Sequence, residues 1–107
     1  MRAFHPLPLL LLVSFLVSGC AETQSCPVLS THATIQEVSG NDLRVRLESG
    51  DVAVLHVGSA QVYRRDPDGC VPITPAEVTT GSNVAFHVDA WAASSPVQGW
   101  PAQVVVG

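Results

Sequence analysis

From His32 to Val38, and again from Leu43 to Glu48, apolar and polar residues alternate with a period of two. That period marks a strand with one buried and one exposed face. In the second run Leu43, Val45 and Leu47 fall on one side, and Arg44, Arg46 and Glu48 on the other. Ser39-Gly40-Asn41-Asp42 separates the two runs with residues that tolerate positive φ or bond to their own backbone, which predicts a tight reversal. Ser49-Gly50-Asp51 predicts a second reversal into a third strand, Val52 to Val57. Two registers of that strand compete. One sends Ala53, Leu55 and Val57 inward and keeps His56 in water, and it is the expected one. A slip of one residue would bury Val54 and His56 instead. Gly58 marks a bend, after which Gln61 to Tyr63 continues in extended form.

Arg64 to Pro72 reads as a polar loop around the turn Asp66-Pro67-Asp68-Gly69. Its aspartates lack the further oxygen donors of a calcium loop, so a plain turn is expected. Thr74-Pro75-Ala76-Glu77 has a capping residue, a proline suited to the first helical position and a carboxylate three residues after the cap, which predicts a short helix ending at Gly81. Asn83 to Ala90 alternates again, with Val84, Phe86, Val88 and Ala90 inward and Ala85, His87 and Asp89 outward. A polar loop from Ala92 to Gly99 leads to a last strand, Pro101 to Val106. The expected fold is therefore all-β: a small five-stranded OB-like barrel over residues 32–107, with a short helix between strands 3 and 4. The Val38-to-Leu43 hairpin and the passage from Pro75-Ala76-Glu77-Val78 to Gly81-Ser82-Asn83-Val84 resemble a group of small bacterial lipoproteins and secreted proteins with OB-like domains of unknown function. The resemblance implies architecture and an envelope location, and carries over no site residues.

The N-terminus changes the picture from fold to address. Arg2 begins a basic n-region, Leu7 to Val17 form an apolar stretch, and Val17-Ser18-Gly19-Cys20 closes it. The stretch is roughly 11 residues against the ~20 that a helix needs to span a bilayer, so a cleaved signal is expected over residues 1–19. The four closing residues match the bacterial lipobox. By that resemblance Cys20 receives lipid on its thiol and, after cleavage, an acyl chain such as palmitate on its new amine. Two or more chains anchor stably where one binds marginally. Residues 20–31 would then be the lipidated cysteine and its tether. The expected location is the cell envelope, and the outer membrane if the source is Gram-negative, since Ala21 rather than Asp follows Cys20.

Beyond residue 19 the chain holds four arginines, no lysine and nine carboxylates, a balance of −5. That argues against nucleic acid as a partner, because phosphate backbones are bound by clustered cations. Cys26 and Cys70 remain once Cys20 is committed to lipid. Export places them in an oxidising compartment, where one pair has one connectivity, and a structural disulfide is expected.

Catalytic chemistry finds little support. His32, His56 and His87 are isolated from one another, with no His-x-x-x-His or His-x-x-Glu spacing, so no zinc site is expected. Ser39, Ser49 and Ser59 lie beside glycines in turns, without a nucleophile elbow. The expected protein is not an enzyme and needs no cofactor. OB barrels bind through the faces of strands two and three and the adjoining loops, which here hold Asn41, Arg44, Arg46, His56, Trp91 and Trp100. Either the tryptophans anchor a ligand, or they cap the open barrel end and bury area that a small core needs. The function expected is a lipid-anchored, non-catalytic binding or accessory module, with an envelope protein, peptide or glycan as ligand. A structural or stress-protective lipoprotein is the rival reading. A metal-binding protein would need two of the three histidines to converge.

Overall fold

A computed structural model describes residues 23–107; the expected signal, with Val17 to Cys20 at its end, lies outside the described residues. The chain is all-β. Its strands are β1 (Thr31–Ser39), β2 (Asp42–Leu47), β3 (Val52–His56), β4 (Gln61–Asp66), β5 (Gly69–Ile73), β6 (Asn83–Phe86), β7 (Val97–Gly99) and β8 (Gln103–Val106). They form one open eight-stranded sheet in the order β5-β4-β8-β6-β1-β2-β3-β7. This replaces the expected five-stranded OB-like barrel.

The first three strands are where alternation placed them. β1 and β2 are antiparallel and joined through Gly40 and Asn41, with Ser39 opposite Asp42 and Gly40 at φ +60°. A bulge at Gln36 shifts the register of β1 by one residue. β2 and β3 pair with Leu43 opposite Leu55 and Val45 opposite Ala53. All four are fully buried, and Val57 follows them inward, so the first register is the correct one. The reversal closes one residue earlier than expected, through Glu48, Ser49 and Gly50, with the Leu47 N–H donating to the Asp51 carbonyl. Parity is preserved, and so is the inward set.

Four expectations fail for identifiable reasons. Arg64 to Pro72 is not a loop but most of the hairpin β4–β5, in which Arg64 and Arg65 pair with Val71 and Cys70. Pro67 and Asp68 turn the chain so tightly that the polar residues flanking them stay in the ladder. The expected helix is a single 3-10 turn, Pro75–Glu77, and it lies between β5 and β6 rather than between strands 3 and 4. Its capping carboxylate is in place: the Thr74 N–H and hydroxyl donate to Glu77 at 2.8 and 3.1 Å, which holds the Glu77 carboxyl below its usual range. The turn stops because Val78 is extended and buried in the core, and two β-branched threonines follow it. β6 ends at Phe86, Ala85 is buried rather than outward and Ala90 is exposed rather than inward. Last, the expected loop from Ala92 to Gly99 contains β7, and the final strand begins at Gln103 because Pro101 has no N–H to give to a ladder.

Ala85 is buried because this sheet covers both faces. The larger core gathers alternate residues of β1, β2, β3, β4, β6 and β8 around Phe86, with Val78. The smaller, on the opposite face, holds Tyr63, Cys70, Ala85 and Val105 beneath Cys26 and Leu29. The segment before β1 is held there by the Cys26–Cys70 disulfide and by a reciprocal backbone pair between Gln24 and Cys70. That pair also covers part of the free edge of β5, as an Ala92–Gln98 bridge does for β7.

The disulfide closes a loop with a sequence separation of 44 residues, for which chain entropy gives about 4 kcal/mol as an upper value. Replacing Cys26 and Cys70 by Ser together should lower the urea midpoint of unfolding and loosen the cover over Tyr63 and Val105. Equal midpoints for this variant and the oxidised protein would contradict a stabilising role.

Candidate functional site

His56 ends β3 on the outer face of the sheet, where the β2–β3 register sets it opposite Asp42. Its Nδ1 lies 2.8 Å from Asp42 Oδ1, and its Nε2 lies 2.7 Å from Gln98 Oε1 on β7. The neighbours of Gln98 fix its orientation. The Ser94 hydroxyl donates to the Pro96 carbonyl, so the Ser94 oxygen is left to accept from Gln98 Nε2 at 3.3 Å. Gln98 Oε1 therefore faces His56 as an acceptor. With a carboxylate on the other side, both acceptors are met only when both imidazole nitrogens donate, so the arrangement favours the imidazolium.

The hydrogen bonds to Gln98 and then to Asp42 raise the His56 pKa above 6.5, against a smaller opposing effect of burial. The expectation that His56 stands in water is corrected here: its side chain is only 26 % exposed. The β2–β3 register that keeps it off the core also aligns it with Asp42, and β7 then covers its other edge.

Trp100 stacks on this imidazole with centroids 4.8 Å apart and planes 23° from parallel. The indole is 61 % exposed. Its position follows from a break in the sheet. Residues 97–99 pair in parallel with β3, residues 103–106 pair with β4 and β6, and Trp100-Pro101-Ala102 joins the two. Proline has no N–H to give to a ladder, and Pro101 is buried, so the pairing stops and Trp100 is left on the surface.

The other aromatic candidate differs. Trp91 meets Phe86 edge-on at 6.0 Å and 86°, and lies over Gly99 so closely that a Cβ there would come within 2.9 Å of the indole. A glycine is required at that point. Trp91 is 37 % exposed and walls a separate cleft with Leu47, Val52 and Pro96. The two tryptophans thus divide the roles left open by the sequence: Trp91 covers the core and Trp100 faces solvent.

The arginines occupy the same outer face of β2. Arg44 is 3.8 Å from Glu37 and lines a shallow depression that shares Asp42 with the His56 surroundings. Arg46 donates to the Gly50 carbonyl at 2.9 Å and lines a different cleft with His32 and Arg65. His56 and Trp100 are in contact, Arg44 adjoins them through Asp42, and Arg46 and Trp91 stand apart. Asp42 and Gln98 went unrecognised as partners of His56. Asp42 reads as a turn residue until the β2–β3 register is counted, and the parallel β3–β7 pairing leaves no local mark.

Beside His56 and Trp100 lies a cleft of about 490 Å³, lined also by Asn41, Asp42, Ser59 and Pro101. A smaller one of about 200 Å³, lined by His87, Asp89, Leu29 and Gln103, has Trp100 as its wall too. There His87 bonds Asp89 at 3.0 Å and Ser30 at 3.3 Å. The three histidines do not converge, and among the described residues there is no group of three or more His, Cys, Asp or Glu side chains arranged to hold a metal ion. No family model matches the chain, and neither a curated protein nor a solved structure does.

The charged groups facing His56 reduce to Asp42 from β2; Gln98 from β7 and the Trp100 indole are neutral. Because folding raises the pKa, the stability that the imidazolium contributes is fully present below about pH 6.5 and is lost as pH rises through the folded value. An NMR titration should place His56 above the value in the unfolded chain. In His56→Gln this loss of stability above about pH 6.5 should vanish. An unchanged pH profile in that variant would contradict the assignment.

Proposed function

We propose that this protein is a lipid-anchored cell-envelope module that binds a ligand or partner without catalysis, through the outer face carrying Trp100, His56 and Arg44. The observation that carries the reading is the exposure of Trp100 on a fixed partner. A single exposed apolar residue is ordinary on a protein surface, but this indole is 61 % exposed while it is stacked on an imidazole that is itself fixed. The stack on His56, itself held by bonds from two strands, fixes the indole before any ligand arrives. Binding then loses less side-chain entropy.

The anchor belongs to the same proposal and rests on Val17-Ser18-Gly19-Cys20. Among the described residues no helix is long and apolar enough to cross a membrane. A lipid on Cys20 would hold the domain near its membrane. Cys20→Ala should abolish incorporation of labelled palmitate and leave the precursor uncleaved, and equal labelling of the variant would refute the anchor.

Capture experiments separate the roles of the tryptophans. Trp100→Ala should leave the melting temperature nearly unchanged and remove the capture of envelope components by the immobilised protein. Trp91→Ala should destabilise by a part of the ~3–5 kcal/mol typical of a buried tryptophan, since it is partly exposed. Arg44→Ser should weaken capture without unfolding. Wild-type levels of capture by Trp100→Ala would end the binding reading and favour a structural role for the domain.

A further inference from the structure

We propose that the ligand is a neutral oligosaccharide lying across the indole of Trp100, with its hydroxyls reaching the two clefts that this side chain walls. The inference rests on the binding reading above and names its ligand class.

A sugar ring offers an apolar C–H face and a rim of hydroxyls that both donate and accept. Its receptor needs a flat apolar platform with short polar side chains beside it. Trp100 supplies the platform, 61 % exposed and stacked on His56 at 4.8 Å. On one side stand Asn41, Asp42 and Ser59; on the other, His87, Asp89 and Gln103. Asn41, Ser59 and Gln103 each carry both donor and acceptor capacity, and each carboxylate has a second oxygen beyond the one that bonds its histidine. The larger cleft, about 490 Å³, falls in the range of small-ligand sites, roughly 300–1,000 Å³. One indole shared by two polar clefts suits an extended chain of rings better than a single compact molecule.

Charge removes the alternatives. His56 already occupies a stacking position on the indole, and when protonated it disfavours a second cation over the ring. The chain carries a balance of −5 beyond residue 19, with Asp42 and Asp89 at the clefts, which disfavours an anion. A neutral polyhydroxylated ligand meets neither penalty. A protein partner would seat itself on a broader apolar patch. Among the described residues the exposed large hydrophobics are Val28, Trp91 and Trp100, and Trp91 lines a different cleft.

The test is an NMR titration of the full-length protein in a sugar-free zwitterionic detergent at pH 6, followed at the tryptophan indole N–H resonances. The probes are neutral tetrasaccharides of β-1,4-linked N-acetylglucosamine, β-1,4-linked glucose, α-1,4-linked glucose and α-1,6-linked mannose, each raised to millimolar concentration. At least one should shift the Trp100 resonance saturably and leave that of Trp91 in place. Asn41→Ala should weaken that binding by about tenfold, equivalent to ~1.4 kcal/mol. In Trp100→Ala the accompanying shifts at Asn41 and Ser59 should disappear while the melting temperature holds. No shift at Trp100 with any of the four, or equal shifts at both tryptophans, would overturn the proposal. Capture that depends on Trp100, resists periodate and is destroyed by protease would also overturn it, leaving the binding reading intact. Capture independent of Trp100 removes both.

Discussion

Six strands send alternate side chains into one cluster around Phe86, and the sheet has to curl to close it. That curl brings a single ten-residue stretch, Val97 to Val106, against β3 at one end and against β4 and β6 at the other. A straight strand could not keep both ladders on a surface that turns between them. The chain yields at Trp100-Pro101-Ala102, where Pro101 sinks into the protein and Ala102 accepts from the Gln61 N–H at 2.9 Å. Just before the break, Gly99 lets Trp91 and Val88 lie against its backbone. The exposed indole is thus a consequence of closing the core.

The hydrophobic effect alone would hold such an edge weakly. β7 has three residues and a parallel partner, and gains little from its ladder. Two further contacts fasten it: the Ala92–Gln98 bridge and the bond from His56 to Gln98. The His56 contacts bind best when the ring is charged, so the edge of the sheet is tied to a proton. At the opposite edge, β5 is held by a covalent bond instead, through Cys70 to Cys26. One edge is therefore tied by oxidation, and the other gains from a proton on His56.

How much of this was legible from residues follows from the range of each interaction. The alternation of Leu43, Val45, Ala53 and Leu55 is local, and it yielded the first three strands with the correct inward set. The pairing of Cys26 with Cys70 followed from compartment and count. The hairpin β4–β5 was missed because Arg64, Arg65 and Asp66 look like loop residues, and only a tight turn at Pro67-Asp68 makes them a strand. Ala85 was misplaced because one face was assumed wet, whereas residues before β1 return to cover it. The helix failed because its cap was real but Val78 was worth more in the core than in another turn. At the site, His56 and Trp100 were selected separately, and their contact was invisible because they lie 44 positions apart and meet through a parallel pairing.

A break in a ladder is also where a domain of this size can carry an exposed group at least cost. Trp100 projects from a position that makes no use of the large core, so its exposure takes nothing from the packing around Phe86. It is nonetheless flanked on both sides by paired strands that fix its backbone. Trp91, eight residues short of Gly99, shows the other solution open to the same side chain, its edge against Phe86 and its ring over a glycine. Residue type is identical at the two positions. What separates them is the surface beneath each ring: Phe86 and Gly99 of the core under Trp91, and the His56 imidazole on the outer face under Trp100.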